Sequence, residues 1–276
     1  MIKSLKNILS ITNKYIVLLT PLILFSLVSN MYLAISANGK VINLIFAIAL
    51  SGLMFAAFIA GWFKMVKLCV ASTLHENNPN NLMKEFISGV GEYFLPSLGL
   101  TIIGFVFTIA SIVLSSFACM HFIGDPGITG ETLLKATATQ EALKAFLASL
   151  TIEQLEKLNA WNTSIFFTIG TAYFLMFFYI PALFFKTKNP ILAFLIGIKD
   201  LFNKKFFKTL FLYMLIFTLN TVISLLTVIL SGNLITSFIT TLLNFYFMTV
   251  VAIGIFHYYY NSFILPQIGQ NIDVEI

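Results

Sequence analysis

The chain has 276 residues, of which 59% are hydrophobic and only 10% are charged. Soluble domains carry about 25% charged residues, so this composition excludes an ordinary soluble globular protein. The sequence contains no Gly-rich phosphate loop, nucleophile motif or paired carboxylates, and its three histidines (His75, His121 and His257) lie far apart along the chain. We therefore expect no enzymatic activity, no cofactor, no metal site and no nucleic-acid partner.

Six apolar segments, each long enough to cross a bilayer, follow one another along the chain. A spanning α-helix needs about 20 predominantly apolar residues, and it satisfies its own backbone hydrogen bonds. The segments run roughly over residues 15–36, 41–63, 94–119, 163–185, 207–230 and 234–262. The sequence therefore predicts an all-α, polytopic membrane protein with six transmembrane helices, in a single integral membrane domain over residues 1–276.

Small residues recur every four positions in the second predicted span, at Gly52, Ala56 and Ala60. Small residues at this spacing allow two helices to approach closely within a membrane. We expect this face to pack against another helix, either of the same chain or of a second copy in a homo-oligomer.

The cytoplasmic segments after the second and fourth spans resemble each other at a constant offset of 108. Residues 86–94 and 194–202 both begin with Phe, place Gly three residues later and an acid three residues after that, and end with Phe. Each copy follows a polar stretch with Asn and Pro and leads into a span. This pattern predicts an internal duplication with two interfacial amphipathic helices.

The apolar residues of the second copy recur at helical spacing. They are Ile191, Phe194, Leu195, Ile198 and Phe202. An apolar face of this kind either lies in the membrane interface or packs against the ends of the other helices, and both interpretations remain open.

The layout also resembles two known groups of proteins. The stretch Tyr179-Ile180-Pro181-Ala182-Leu183-Phe184-Phe185, followed by Asn189-Pro190, Ala193-Phe194 and Gly197-Ile198-Lys199, carries the resemblance. It is similar to the YciC-like bacterial multi-pass proteins and to the membrane domain that precedes the catalytic domain of some glycerophosphodiester phosphodiesterases. The resemblance implies a fold and a membrane location; the phosphodiesterase catalytic domain is not in this sequence, so no activity is carried over.

The loop between the third and fourth spans, about residues 120–162, is the longest segment outside the spans. Asp125-Pro126-Gly127 predicts a turn, and apolar residues at 143, 146, 147 and 150 then recur at helical spacing. Thr151 with Gln154 resembles a capping box that starts a second short helix. We expect a small helical hairpin that serves as a structured linker, or as a lid or partner surface.

Four lysines, Lys199, Lys204, Lys205 and Lys208, fall within ten residues on and after the second amphipathic segment. Basic residues beside a cytoplasmic membrane surface attract anionic lipids, each contributing about 1 kcal/mol. The cluster is either a plain topological anchor or a contact site for anionic lipid headgroups.

Polar side chains line one face of each of the last two spans. The residues concerned are Asn220, Ser224, Thr227, Thr240 and Asn244, with His257 near the inner end of the sixth span. Interhelical hydrogen bonding is one interpretation. A polar cavity for a transported substrate is the other, and transporters commonly place ionisable groups in such a cavity.

Two functions follow from these features. The first is a non-catalytic integral membrane protein that organises lipids or partner proteins in a bacterial cytoplasmic membrane. We expect a bacterial origin because all basic residues are lysines, which is typical of AT-rich bacterial genomes. The second is a transporter or lipid-translocating protein with a polar cavity near the last two spans. The expected partners are membrane lipids with anionic headgroups, a membrane protein or a second copy of the chain.

Lysine distribution predicts the topology. With the N-terminus in the cytoplasm, twelve lysines lie on the cytoplasmic side and four (Lys40, Lys135, Lys144 and Lys157) on the other side. Reporter fusions after Lys40 and within 125–160 should therefore report the extracytoplasmic side. Fusions at Lys188 and at the C-terminus should report the cytoplasm. A cytoplasmic signal from residues 125–160 would contradict the six-span topology.

Overall fold

The structure, a computed structural model, describes residues 2–36, 41–71, 82–137, 139–230 and 233–267. Within these ranges the protein is all-helical and has no β-strand. Several sequence-based interpretations concern residues outside the described ranges: Lys40, His75, the Asn and Pro of residues 77–79, residues 231–232 between the last two spans, and the C-terminal tail.

Eleven α-helices are described. They are α1 Ile2–Lys14, α2 Leu19–Ser36, α3 Val41–Ala71, α4 Leu82–Phe122, α5 Gly130–Ala136, α6 Gln140–Ser149, α7 Ile152–Leu175, α8 Tyr179–Phe185, α9 Pro190–Leu201, α10 Phe206–Leu230 and α11 Leu234–Tyr259. Five segments are long and apolar enough to cross a membrane, and the count rises to six if the bent pair α1–α2 is one span. This confirms an all-helical protein of the membrane-spanning type.

The first predicted span, residues 15–36, starts at a bend of the chain. Its chain bends by 76° between Leu5–Lys14 and Ile16–Tyr32, through a short 3-10 turn at Ile16–Leu18. Pro21 has no N–H to donate to the carbonyl four residues earlier, and the buried Trp62 indole N–H donates to the Leu18 carbonyl oxygen at 3.0 Å. The carbonyl that Pro21 leaves without this donor is that of Val17, so the Trp62 hydrogen bond does not replace it; it joins the start of α2 to α3.

The two amphipathic segments differ in structure. The first is not a separate helix, because α4 runs without a break from Leu82 to Phe122. The second is the separate helix α9. The Asn189 side chain caps its N-terminus by accepting from the backbone N–H groups of Ile191 and Leu192, and Pro190 stands at its first position, where a missing N–H costs nothing.

By its internal contacts the chain forms two compact units, residues 1–103 with 175–276 and residues 104–174. Aromatic side chains fill the first unit. Phe63 stacks on Phe256 with ring centres 5.4 Å apart, and Tyr93 stacks on Phe184 at 4.4 Å. Phe184 and Phe256 are almost completely buried.

The second unit contains the predicted loop. Asp125 Oδ1 accepts from the Gly127 N–H at 2.8 Å, which forms the expected turn. Trp161 Nε1 donates to the Gly124 carbonyl oxygen at 3.0 Å and closes the loop on itself. Thr151 and Gln154 form the expected reciprocal cap.

The helix that this cap starts is not a second short helix. It is α7, which runs from Ile152 to Leu175 directly into the apolar segment, because residues 152–175 contain no proline and nothing else that would end it.

Two glycines allow helices of the first unit to meet backbone to backbone. A Cβ on Gly89 of α4 would lie 2.8 Å from the Ala60 carbonyl oxygen and 2.7 Å from the Lys64 Cβ. A Cβ on Gly197 of α9 would lie 3.1 Å from the backbone nitrogen of Tyr179, where α8 begins. Each amphipathic segment therefore packs on the helix before it through its glycine.

The small residues of α3 divide into two groups. Ala56 and Ala60 are completely buried, as expected for close packing. Gly52 does not fit that expectation, because a Cβ there would meet no described atom within 4 Å apart from its own helix. The close contacts lie at Ala60, on which Gly89 packs, and at the next residue, Gly61, where a Cβ would overlap the Phe86 ring.

Replacement of Gly89 by Ala should destabilise the protein by overpacking, by about 1–3 kcal/mol, because the added methyl group meets rigid backbone. Gly91 is the matched control, since it lies on the same helix and a Cβ there meets no described atom. Gly91→Ala should stabilise by about 0.5–1 kcal/mol through lower chain entropy. The midpoint of thermal unfolding in mild detergent tests both, and equal midpoints for the two variants would contradict the close contact.

Candidate functional site

Charged side chains gather at one end of the first unit. It is formed by the end of α3, the first part of α4, the α8–α9 turn, the end of α9, the α9–α10 turn and the start of α10. We call this region the lysine-rich end, and it comprises Lys64, Lys67, Lys186, Lys188, Lys199, Lys204, Lys205 and Lys208 with Glu92 and Asp200.

Asp200 of α9 is a buried carboxylate, 8% exposed. Its Oδ2 accepts from the Lys186 ammonium at 2.8 Å and from the Tyr259 hydroxyl at 2.5 Å. Lys186 Nζ also lies 5.5 Å from the centre of the Tyr259 ring. A buried charge needs such partners, so this group ties the end of α8, α9 and α11 to one another.

Glu92 of α4 has a corresponding arrangement. It accepts from Lys64 of α3 through one oxygen and from Lys188 through the other, the latter at 2.9 Å. The next residue, Tyr93, is 3% exposed, and its hydroxyl accepts from Lys67 Nζ at 3.1 Å. Glu92 therefore joins α3 and α4 to the turn before α9.

The four lysines of the predicted lipid contact have different surroundings. Lys205 Nζ donates to the Ser262 carbonyl oxygen at 3.1 Å, and Lys208 Nζ lies 5.8 Å from the centre of the Tyr258 ring. Lys199 and Lys204 are exposed, and within the described part of the chain neither forms an ion pair. Lys208 is exposed as well, but Lys199 and Lys204 are the two of the four for which the described residues show no side-chain contact.

The buried residues of helix α9 are Ala193, Gly197, Asp200 and Leu201. The predicted apolar face is divided between packing and exposure. Phe194 and Ile198 are half-buried, and the Phe194 ring meets the Tyr179 ring of α8 edge-on, with ring centres 5.4 Å apart. The other three residues of this face, Ile191, Leu195 and Phe202, are 63%, 58% and 60% exposed.

The polar residues of the last two spans do not form one polar cavity. Thr227 and Thr240 donate to carbonyl oxygens of their own helices, and Ser224 is exposed, whereas Asn244 is half-buried. Asn220 lines a cavity of about 260 Å³ between α3, α8, α10 and α11.

The walls of this cavity are otherwise apolar, with aromatic residues that include Trp62, Phe177 and Phe247. His257 is not among the described residues that line it, and Asn261 Nδ2 donates to the His257 carbonyl oxygen at 2.9 Å. Of the polar residues predicted to line a cavity in the last two spans, Asn220 is the one that lines this cavity.

Sequence reasoning missed the residues that organise this end. It recorded Glu92 and Asp200 only as the acid of each repeat, and it did not single out Tyr259. The usable signal was an acid at the same position of both copies, with lysines at the end of the preceding span. Which lysine meets which acid depends on the chain turns between them.

No group of three or more His, Cys, Asp or Glu residues within the described ranges is arranged to hold a metal ion. Comparison of the chain with protein-family models, with curated proteins and with solved structures gives no match.

Removal of one partner of Asp200 should be costly. Lys186→Met leaves a buried carboxylate with Tyr259 alone, and it should destabilise by about 3–5 kcal/mol. Lys135→Met should leave the thermal midpoint unchanged, because Lys135 and its partner Glu131 are fully solvated. Thermal unfolding in detergent measures both.

The double variant Lys186→Met/Asp200→Leu separates the effect of the ion pair from a general loss of stability at the lysine-rich end. Removing the stranded carboxylate together with its partner should recover part of the stability lost in Lys186→Met. A double variant less stable than Lys186→Met alone would contradict the role of the ion pair.

Proposed function

We propose that this protein is a non-catalytic integral membrane protein that organises lipids at the cytoplasmic face of a bacterial cytoplasmic membrane. The observation that carries the proposal is the surface of α9. There, exposed apolar residues and exposed lysines occur on one short helix and the turn after it, and the helix is held in place by a buried ion pair.

The physical argument begins with the exposed stripe of Ile191, Leu195 and Phe202. Exposing three large apolar side chains to water is unfavourable, by roughly 25 cal/mol for each Å² of apolar surface exposed. Placed in the interfacial layer of a bilayer, the same side chains contact acyl chains, as in other interfacial amphipathic helices. Lys199 and Lys204 would then reach the headgroup layer and attract anionic lipids.

The orientation of this surface is part of the proposal. In the topology with cytoplasmic termini, twelve of the sixteen lysines lie on the same side of the membrane as α9. Lysine enrichment is typical of the cytoplasmic side.

We also infer that the first unit arose by duplication. In both copies the glycine packs on the preceding helix, and the acid accepts from a lysine of the preceding helix or its C-cap.

Transport or lipid translocation is the second candidate. The cavity beside Asn220 favours it, because a space of about 260 Å³ would accept part of an apolar chain. Asn220 is the only polar residue among those described around the cavity, and a route for a polar substrate needs more. Lipid organisation is therefore the better-supported function.

Neutralising the two open lysines tests the proposal. The variant Lys199→Gln/Lys204→Gln should capture phosphatidylglycerol about thirtyfold more weakly, since each lysine contributes about 1 kcal/mol near an anionic surface. Co-purified lipid and binding to vesicles with phosphatidylglycerol would be measured for the full chain.

The matched control is Lys135→Gln/Lys144→Gln, two exposed lysines of the second unit that belong to the opposite side in the proposed topology. It should bind as the wild type does. Unchanged lipid capture by Lys199→Gln/Lys204→Gln, with topology intact, would leave the lysines as topological anchors and contradict the proposal.

A further inference from the structure

We propose that Lys64, Lys67 and Lys188 form a binding site for a phosphate group around the ring of Tyr93. This site is separate from Lys199 and Lys204, and the inference does not depend on the function proposed above. It is a built site at the junction of α3, α4 and the turn before α9, with a buried aromatic ring as its floor.

The three ammonium groups converge on one side chain. The Nζ atoms of Lys64, Lys67 and Lys188 lie 5.6, 5.6 and 5.3 Å from the centre of the Tyr93 ring. Tyr93 is fixed by its stacking on Phe184. Lys67 is held at the hydroxyl edge of the ring, while Lys64 and Lys188 lie within cation–π range of it, so three positive charges gather there although they repel one another.

The positive charge of the three lysines exceeds the negative charge of the carboxylates that pair with them. Within the described ranges, Glu92 is the only carboxylate that pairs with the three lysines, and it accepts from Lys64 and Lys188. The other acid of this end, Asp200, is engaged by Lys186 and Tyr259. Three cations against one anion leave an excess of two positive charges.

Lys67 carries most of this imbalance. It is half-buried, and its hydrogen-bond acceptor is the neutral hydroxyl of Tyr93, while the Phe185 ring lies 5.8 Å from its Nζ. No described carboxylate lies within ion-pair distance of it. A partly desolvated ammonium without a counter-ion is unfavourable, so the site lacks an anion that the described residues do not supply.

Phosphate has the matching chemistry. It carries one to two negative charges and several acceptor oxygens, and lysines bind it as point charges through charge-assisted hydrogen bonds. The Lys188 side chain is 57% exposed, which leaves the site accessible from the solvent or the headgroup layer. The phosphate of a phospholipid headgroup and free inorganic phosphate share this chemistry.

Native mass spectrometry of the full chain, delipidated in detergent, tests the proposal with phosphatidylglycerol as the probe and diacylglycerol as the lipid without phosphate. The wild type should bind phosphatidylglycerol and not diacylglycerol. Lys67→Gln should weaken the tightest binding step about tenfold, since it removes one charge-assisted hydrogen bond. Lys67→Arg should retain binding, because a guanidinium also binds phosphate.

Lys84→Gln is the matched control, an exposed lysine on the first turn of α4, and it should bind as the wild type does. Lys199→Gln/Lys204→Gln should leave this step unchanged, which separates the site from the α9 surface. Competition by millimolar inorganic phosphate would identify a site for free phosphate, and its absence would identify a lipid phosphate.

Equal binding by Lys67→Gln and the wild type would overturn the proposal, as would an equal loss in Lys84→Gln. Thermal midpoints of all variants exclude loss of folding as the cause, and Lys67→Arg provides the folded comparison if Lys67→Gln is unstable.

Discussion

The buried carboxylate of Asp200 is the constraint on which the arrangement of the lysine-rich end depends. A carboxylate that is 8% exposed must be matched by donors, and the donors come from the end of α8 and from α11. Helix α9 is therefore held in one orientation, with its small residues inward. Ile191, Leu195 and Phe202 of its apolar stripe are exposed as a consequence of that orientation.

Close approach of the backbones makes this ion pair possible. Helices in a membrane gain little from hiding apolar surface from one another, because lipid is as apolar as their side chains, so packing and polar contacts hold them together. Gly197 places α9 directly on the start of α8, and Gly89 places α4 on α3 in the same manner. In each case an acid three residues later meets a lysine from the preceding helix or its C-cap.

These contacts also determine which lysines are available to ligands. Lys186 is used by Asp200, and Lys205 is engaged by a carbonyl oxygen near the end of the chain. Lys199 on α9 and Lys204 in the turn after it remain open, while Lys67 donates to a tyrosine hydroxyl and forms no ion pair with the described residues. A lysine count alone would treat all of them as equal, and the functional proposals rest on the differences.

The sequence by itself determined the all-helical class, the presence of membrane-spanning segments and the caps of the loop, because hydropathy, helix breakers and capping residues act over a few neighbouring positions. It also identified the acid and glycine shared by residues 86–94 and 194–202. Only the tertiary structure decided that α1 and α2 are bent, that α4 is continuous, that Gly52 is not closely packed and that the apolar stripe of α9 faces outward. The physical reason is that these features depend on contacts between distant residues, such as Trp62 with Leu18 and Tyr259 with Asp200, and local periodicity does not record which helix will supply the partner.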